Sequence, residues 1–154
     1  MPECQTKYFE IMEFTEDSVI RVPNGLPGFE QEREFVLIDQ PLNRPLVFVQ
    51  SLATPDLCFI ALPVLSVEPC YRLAISADDL DALGFDPSAQ PSIGRDVACL
   101  IIVALGTDRL MTANLLAPVV INLNTRVAVQ AIQTGTSYSH RHPLLVEESE
   151  PVCS

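Results

Sequence analysis

The chain reads as all-β: a small antiparallel, partly closed β-barrel with one short helix. Three observations point there. About eight or nine short runs rich in β-branched and aromatic residues recur at regular spacing. Thirteen prolines punctuate the chain, and helix-length periodic runs are scarce. Only one segment carries the capping signals of a helix.

The elements follow in order. Residues 8–14 read Tyr-Phe-Glu-Ile-Met-Glu-Phe, an apolar run broken by Glu10 and Glu13, as in a strand with one wet face. Residues 18–22 alternate polar and apolar, and Thr15-Glu16-Asp17 between the two runs predicts a hairpin. Two prolines and two glycines within 23–28 demand an irregular loop. Residues 35–38, 46–50 and 58–62 predict three further strands, and 71–75 alternates again. Ser76 can cap a short helix over 78–83, with Asp78 and Asp79 in its first turn and Gly84 at its stop. The apolar run 97–105 predicts a central strand, and Gly106-Thr107-Asp108 a turn. Residues 110–114 and 119–122 read as one strand interrupted at Pro118. A turn at 122–125 leads into a return strand over 126–133, and Gly135 ends the sheet. Residues 1–143 then form one domain, and the acidic stretch 144–154, with Glu147, Glu148 and Glu150, reads as a mobile tail.

At 154 residues the chain can bury roughly two thirds of its unfolded surface, enough for a real core. The net charge is −11, and Lys7 is the sole lysine. Such a surface repels phosphate backbones, so direct nucleic-acid binding is not expected. It suits a basic protein partner instead. Within residues 1–40 the acids Glu3, Glu10, Glu13, Glu16, Asp17, Glu30, Glu32, Glu34 and Asp39 outnumber Lys7, Arg21 and Arg33. The same acids could simply keep the protein soluble. Five cysteines, none in C-x-x-C spacing, argue against a zinc ribbon and against a disulfide framework, and so for a reducing compartment. The N-terminus lacks a signal peptide's basic and apolar regions. No apolar run reaches the ~18 residues of a membrane span. A cytoplasmic protein is expected.

Catalytic patterns are missing. No Ser sits in a Gly-x-Ser-x-Gly elbow, and no Gly-rich phosphate cradle occurs. Asp78, Asp79 and Asp81 are explained by helix capping more simply than by acid–base work. His140 and His142, with Glu147 and Cys153 further on, could in principle ligate a metal, but exposed, solvated histidines are the plainer reading. The sequence therefore predicts no enzyme, no cofactor and no metal.

Two blocks remain. In Gly25-Leu26-Pro27-Gly28-Phe29-Glu30 the glycines permit positive φ and Pro27 fixes a turn. Leu26 and Phe29 then plug the barrel end, or present an apolar tip beside Glu30 for a protein partner. In Asn114-Leu115-Leu116-Ala117-Pro118-Val119-Val120-Ile121-Asn122 the two amides can bond the backbone around the break at Pro118. A binding role for Asn114 is the alternative.

With Phe35, Gln50-Ser51, Phe59, Pro63, Tyr71, Arg126, Gln130, Tyr138 and Arg141-His142-Pro143, these blocks resemble the FliW family of flagellar assembly factors over roughly residues 8–143. Residues 56–57 and 86–95 carry no matching motif. The resemblance implies a small β-barrel-like fold without cofactor. It also implies two cytoplasmic partners: flagellin, and the RNA-binding translational regulator CsrA. While flagellin accumulates it occupies the FliW-like protein; once flagellin is exported, the freed protein binds CsrA allosterically, and CsrA releases the flagellin message. For CsrA the candidate residues are the acids Glu16, Asp17, Glu30, Glu32 and Glu34, and for flagellin the apolar Leu26 and Phe29. A monomer is expected. The competing readings are a small-molecule-binding β-barrel, since barrel mouths hold ligands, and a hydrolase whose site is not evident.

Overall fold

The computed structural model describes residues 3–6, 10–106 and 110–144, with side chains from Phe14 onward. Strands β1 (Glu3–Thr6) and β2 (Glu10–Glu13) pair with each other as a separate antiparallel ribbon. The main sheet has nine strands among the described residues. These are β3 (Val19–Arg21), β4 (Glu34–Ile38), β5 (Val47–Ser51), β6 (Cys58–Pro63), β7 (Val97–Leu105), β8 (Met111–Ala113), β9 (Val119–Asn122), β10 (Ala128–Gln130) and β11 (His142–Pro143). Every ladder is antiparallel, and the path runs β10-β9-β7-β6-β5-β4-β3, with β8 and β11 branching from β7.

The path is open. Its two ends meet at one parallel bridge, Arg21 to Val127, where the Arg21 N–H donates to the Arg126 carbonyl at 2.9 Å. The partly closed barrel expected from strand spacing is thus an antiparallel sheet without a closing ladder.

The strand β7 shows why both of its faces are apolar in sequence. Val97, Cys99 and Ile101 point into one core, under helices α1 (Val64–Val67) and α2 (Ala77–Leu83). Leu100, with Ala98 and Ile102, points into the other, among Ile20, Phe35, Val49 and Ile121. A third, smaller cluster of Val36 and Ile38 takes in Phe14, Phe48 and Leu52.

Several expectations need correction. Residues 8–22 do not form a hairpin: β2 pairs with β1 and β3 pairs with β4, with a 3-10 turn at Glu16–Ser18 between them. Residues 71–75 alternate in burial but join no ladder. Their N–H groups find side chains instead: Arg72 donates to Tyr138 Oη at 2.9 Å, Ala74 to Gln133 Oε1 at 2.8 Å and Ile75 to Gln90 Oε1 at 2.8 Å. The helix α1 and the strand β11 lack the local signals the sequence reading used. Cys70 is disulfide-bonded, against the expectation of no disulfide framework. Spacing along the chain does not tell which sulfurs meet in space.

Other expectations hold closely. Strand β7 begins and ends where expected, and α2 is capped by Ser76 Oγ, which accepts from Asp79 N–H at 3.2 Å, and stopped by left-handed Gly84. The two halves of the Pro118-interrupted strand, β8 and β9, lie along the same edge of β7. The turn expected at 106–108 falls largely outside the described residues, as does the acidic tail beyond Leu144, whose N–H donates to Met111 at 3.0 Å. No helix among the described residues is long and apolar enough to cross a membrane.

Candidate protein-binding cavity

The loop 25–30 is a tight ring. Gly25 N–H donates to Val22 at 2.8 Å, Phe29 N–H to Leu26 at 2.7 Å and Glu32 N–H to Phe29 at 3.0 Å. Gly25 and Gly28 both adopt positive φ. The ring sends Leu26 inward, where it is buried, and leaves Phe29 40% exposed. Phe29 rests edge-on against Phe59 of β6, with ring centroids 5.2 Å apart, and Phe59 in turn touches core Phe35 at 6.1 Å.

The loop 114–118 is built as firmly. Asn114 Oδ1 accepts from the N–H groups of Leu116 at 3.1 Å and Ala117 at 3.0 Å, while Gln130 Nε2 donates to the Ala117 carbonyl at 2.9 Å. The Tyr71 hydroxyl donates to the Leu115 carbonyl at 2.6 Å, and its ring stacks on Tyr138 at 4.4 Å. Burial, then the nearby Cys99 and Tyr138, push the Tyr71 phenol well above its usual range.

Between the two loops opens a cavity of about 310 Å³. Leu26, Phe29, Phe59 and Ile102 give it an apolar floor and lip, and Asn114 faces it from the second loop and Gln130 from β10. The geometry thus brings together Leu26, Phe29 and Asn114. Thr112, Gln130, His140 and Arg141 also line it; the sequence pointed to His140 only as a possible metal ligand and to Gln130 and Arg141 only through the family resemblance. For Thr112 and Gln130 the available signal was alternation along β8 and β10.

The candidate acids disperse. Glu16 and Glu34 line a separate hollow of about 520 Å³, shared with Arg21 and Arg126, so their charge is partly offset. Asp17 is exposed on the 3-10 turn. Glu30 Oε1 accepts from Gly28 N–H at 3.1 Å and so helps shape the loop. Glu32 is half-buried: one carboxylate oxygen accepts from Ser51 Oγ at 2.6 Å and the other from Thr54 Oγ1. His140 is exposed on the cavity wall while His142 sits in β11; Glu147 and Cys153 lie outside the described residues.

Comparison with known proteins agrees with this architecture. The family model described as FliW protein matches residues 3–144. The flagellar assembly factor FliW of Geobacillus sp. (strain WCH70) is 35% identical over 145 residues, covering 93% of this chain and 95% of the relative. That of Syntrophomonas wolfei subsp. wolfei (strain DSM 2245B / Goettingen) is 34% identical over 134 residues, covering 86% and 82%. A crystal structure of the flagellar assembly factor FliW superposes with a TM-score of 0.79 at 33% identity, covering 96% of this chain and all of that one. The chain therefore belongs to the FliW family of flagellar assembly factors.

Proposed function

We propose that this protein acts in the cytoplasm, as a monomer, by stoichiometric binding and without turnover. Its partners are flagellin and the translational regulator CsrA. Flagellin occupies it while flagellin accumulates. Once freed, it binds CsrA allosterically and relieves repression of flagellin translation. The observation that carries this reading is the half-exposed Phe29 at the lip of an apolar cavity of about 310 Å³. A large aromatic left in water beside an apolar recess is a feature of protein-binding surfaces. The net charge of −11 adds to it, since an acidic body meets a basic RNA-binding regulator with complementary potential. The interior is filled by Ile20, Phe35, Leu100 and Ile121, which speaks against a small-molecule barrel.

The test is a competition. The purified protein is preloaded with flagellin, CsrA is added, and the bound fractions are read by size-exclusion chromatography. Flagellin is expected to hold CsrA off until it is removed. Failure of the protein to bind either one at micromolar concentration ends this reading.

A further inference from the structure

A third hollow, of about 290 Å³, adjoins the first cavity: both are bordered by Pro27 and Gln130. It is lined by Val22, Ala128 and Val129, with Glu30 and Asp79 at its edge. The first cavity, and not the third hollow, carries His140 and Arg141. Taken together, the two hollows make one trough that crosses the Pro27–Gln130 ridge. Apolar side chains line both hollows, with two carboxylates in one and a guanidinium and an imidazole in the other. None of these four side chains has an ion-pair partner among the described residues.

We propose that this trough takes an apolar stretch of a protein partner that carries a cation at one end and a carboxylate at the other, and so seats it in a single orientation. The apolar floor supplies contact area and no direction, because burial is not directional. The charges at the two ends supply the direction: a segment laid in backwards would place its carboxylate on Glu30 and Asp79 and its cation on Arg141, and like charges brought together are strongly unfavourable. The inference rests on the binding function proposed above and assigns flagellin to this trough, because the exposed Phe29 belongs to it.

The test uses the full chain and two charge reversals, Arg141→Glu and Asp79→Lys. Glu30 is left intact because it shapes its own loop. Flagellin and CsrA binding are measured for each by biolayer interferometry at low and high salt. Each reversal is expected to weaken flagellin binding about tenfold or more at low salt, with the loss narrowing as salt rises. CsrA binding and the thermal midpoint serve to show that each variant is folded. Wild-type flagellin affinity in both folded variants overturns the trough while leaving the binding function standing. If the wild-type protein ignores both partners, the binding function fails and the trough falls with it. A variant that loses CsrA binding and melts early is replaced by Arg141→Gln, for which a loss of about threefold or more is expected and an unchanged affinity overturns the proposal.

Discussion

Gly25 and Glu30 approach so closely that a Cβ on Gly25 would stand 2.5 Å from the Glu30 Cα. Gly25 also holds φ at +65°. Both facts exclude an ordinary side chain here. Gly25→Ala is expected to cost about 2–4 kcal/mol, from left-handed strain plus the clash. Thermal unfolding reads the loss. An unchanged midpoint would mean the ring can reopen without penalty.

Gln133 ties a ladder-free segment to the sheet. Its Oε1 accepts from Ala74 N–H at 2.8 Å in a partly buried setting and its Nε2 donates to the Ala131 carbonyl at 3.0 Å in a buried one. Gln133→Ala leaves both groups unsatisfied, for a loss of about 2–4 kcal/mol in urea unfolding. Ser66→Ala, an exposed position, is the control and should stay within about 0.5 kcal/mol.

Phe29 separates binding from folding. Because it is 40% exposed and meets Phe59 only edge-on, Phe29→Ala should cost about 1 kcal/mol of stability. Flagellin affinity should fall about tenfold or more, as expected for an aromatic anchor. Leu26→Ala should do the reverse, since Leu26 is buried core, and cost about 2–4 kcal/mol. Titration calorimetry beside thermal melts distinguishes the two.

Two thiols make the fold sensitive to alkali. Burial pushes Cys58 up to about 11 and Cys99 up to about 12, from an ordinary 9.0. Above pH 9 the unfolded chain sheds these protons while the folded chain keeps them, so the unfolded state binds fewer protons and stability falls as pH rises. The urea midpoint is expected to hold up to about pH 9 and then decline toward pH 11. Cys99→Ala should flatten that decline at some cost in packing. A midpoint that stays level through pH 11 refutes the assignment.

How far the sequence could be read depends on where the deciding interaction lies. Strands β4 to β7 were legible because each pairs with its neighbour in sequence, so an apolar run bounded by turn residues suffices. The hairpin over 8–22 failed because local alternation does not name a partner: β3 found β4, and β2 turned back on β1. Residues 71–75 were misread because Gln133, Gln90 and Tyr138, distant in sequence, supply acceptors that a strand would otherwise provide. In the cavity, Leu26, Phe29 and Asn114 were legible from turn chemistry and apolar content. Arg141 was not, because nothing local says that residue 141 comes to lie beside the loop 25–30. Glu32 read as a surface acid, yet its partners Ser51 and Thr54 are brought to it only by the β4–β5 pairing.

Strand β7 lends one face to each of the two larger cores. Neither half of the molecule can therefore be cut out intact. A fragment lacking the helical layer would bare Val97, Cys99 and Ile101 to water, and one lacking β3 to β5 would bare Leu100 and Ile102 on the same nine-residue rod. The two larger cores are therefore expected to melt together, in a single transition.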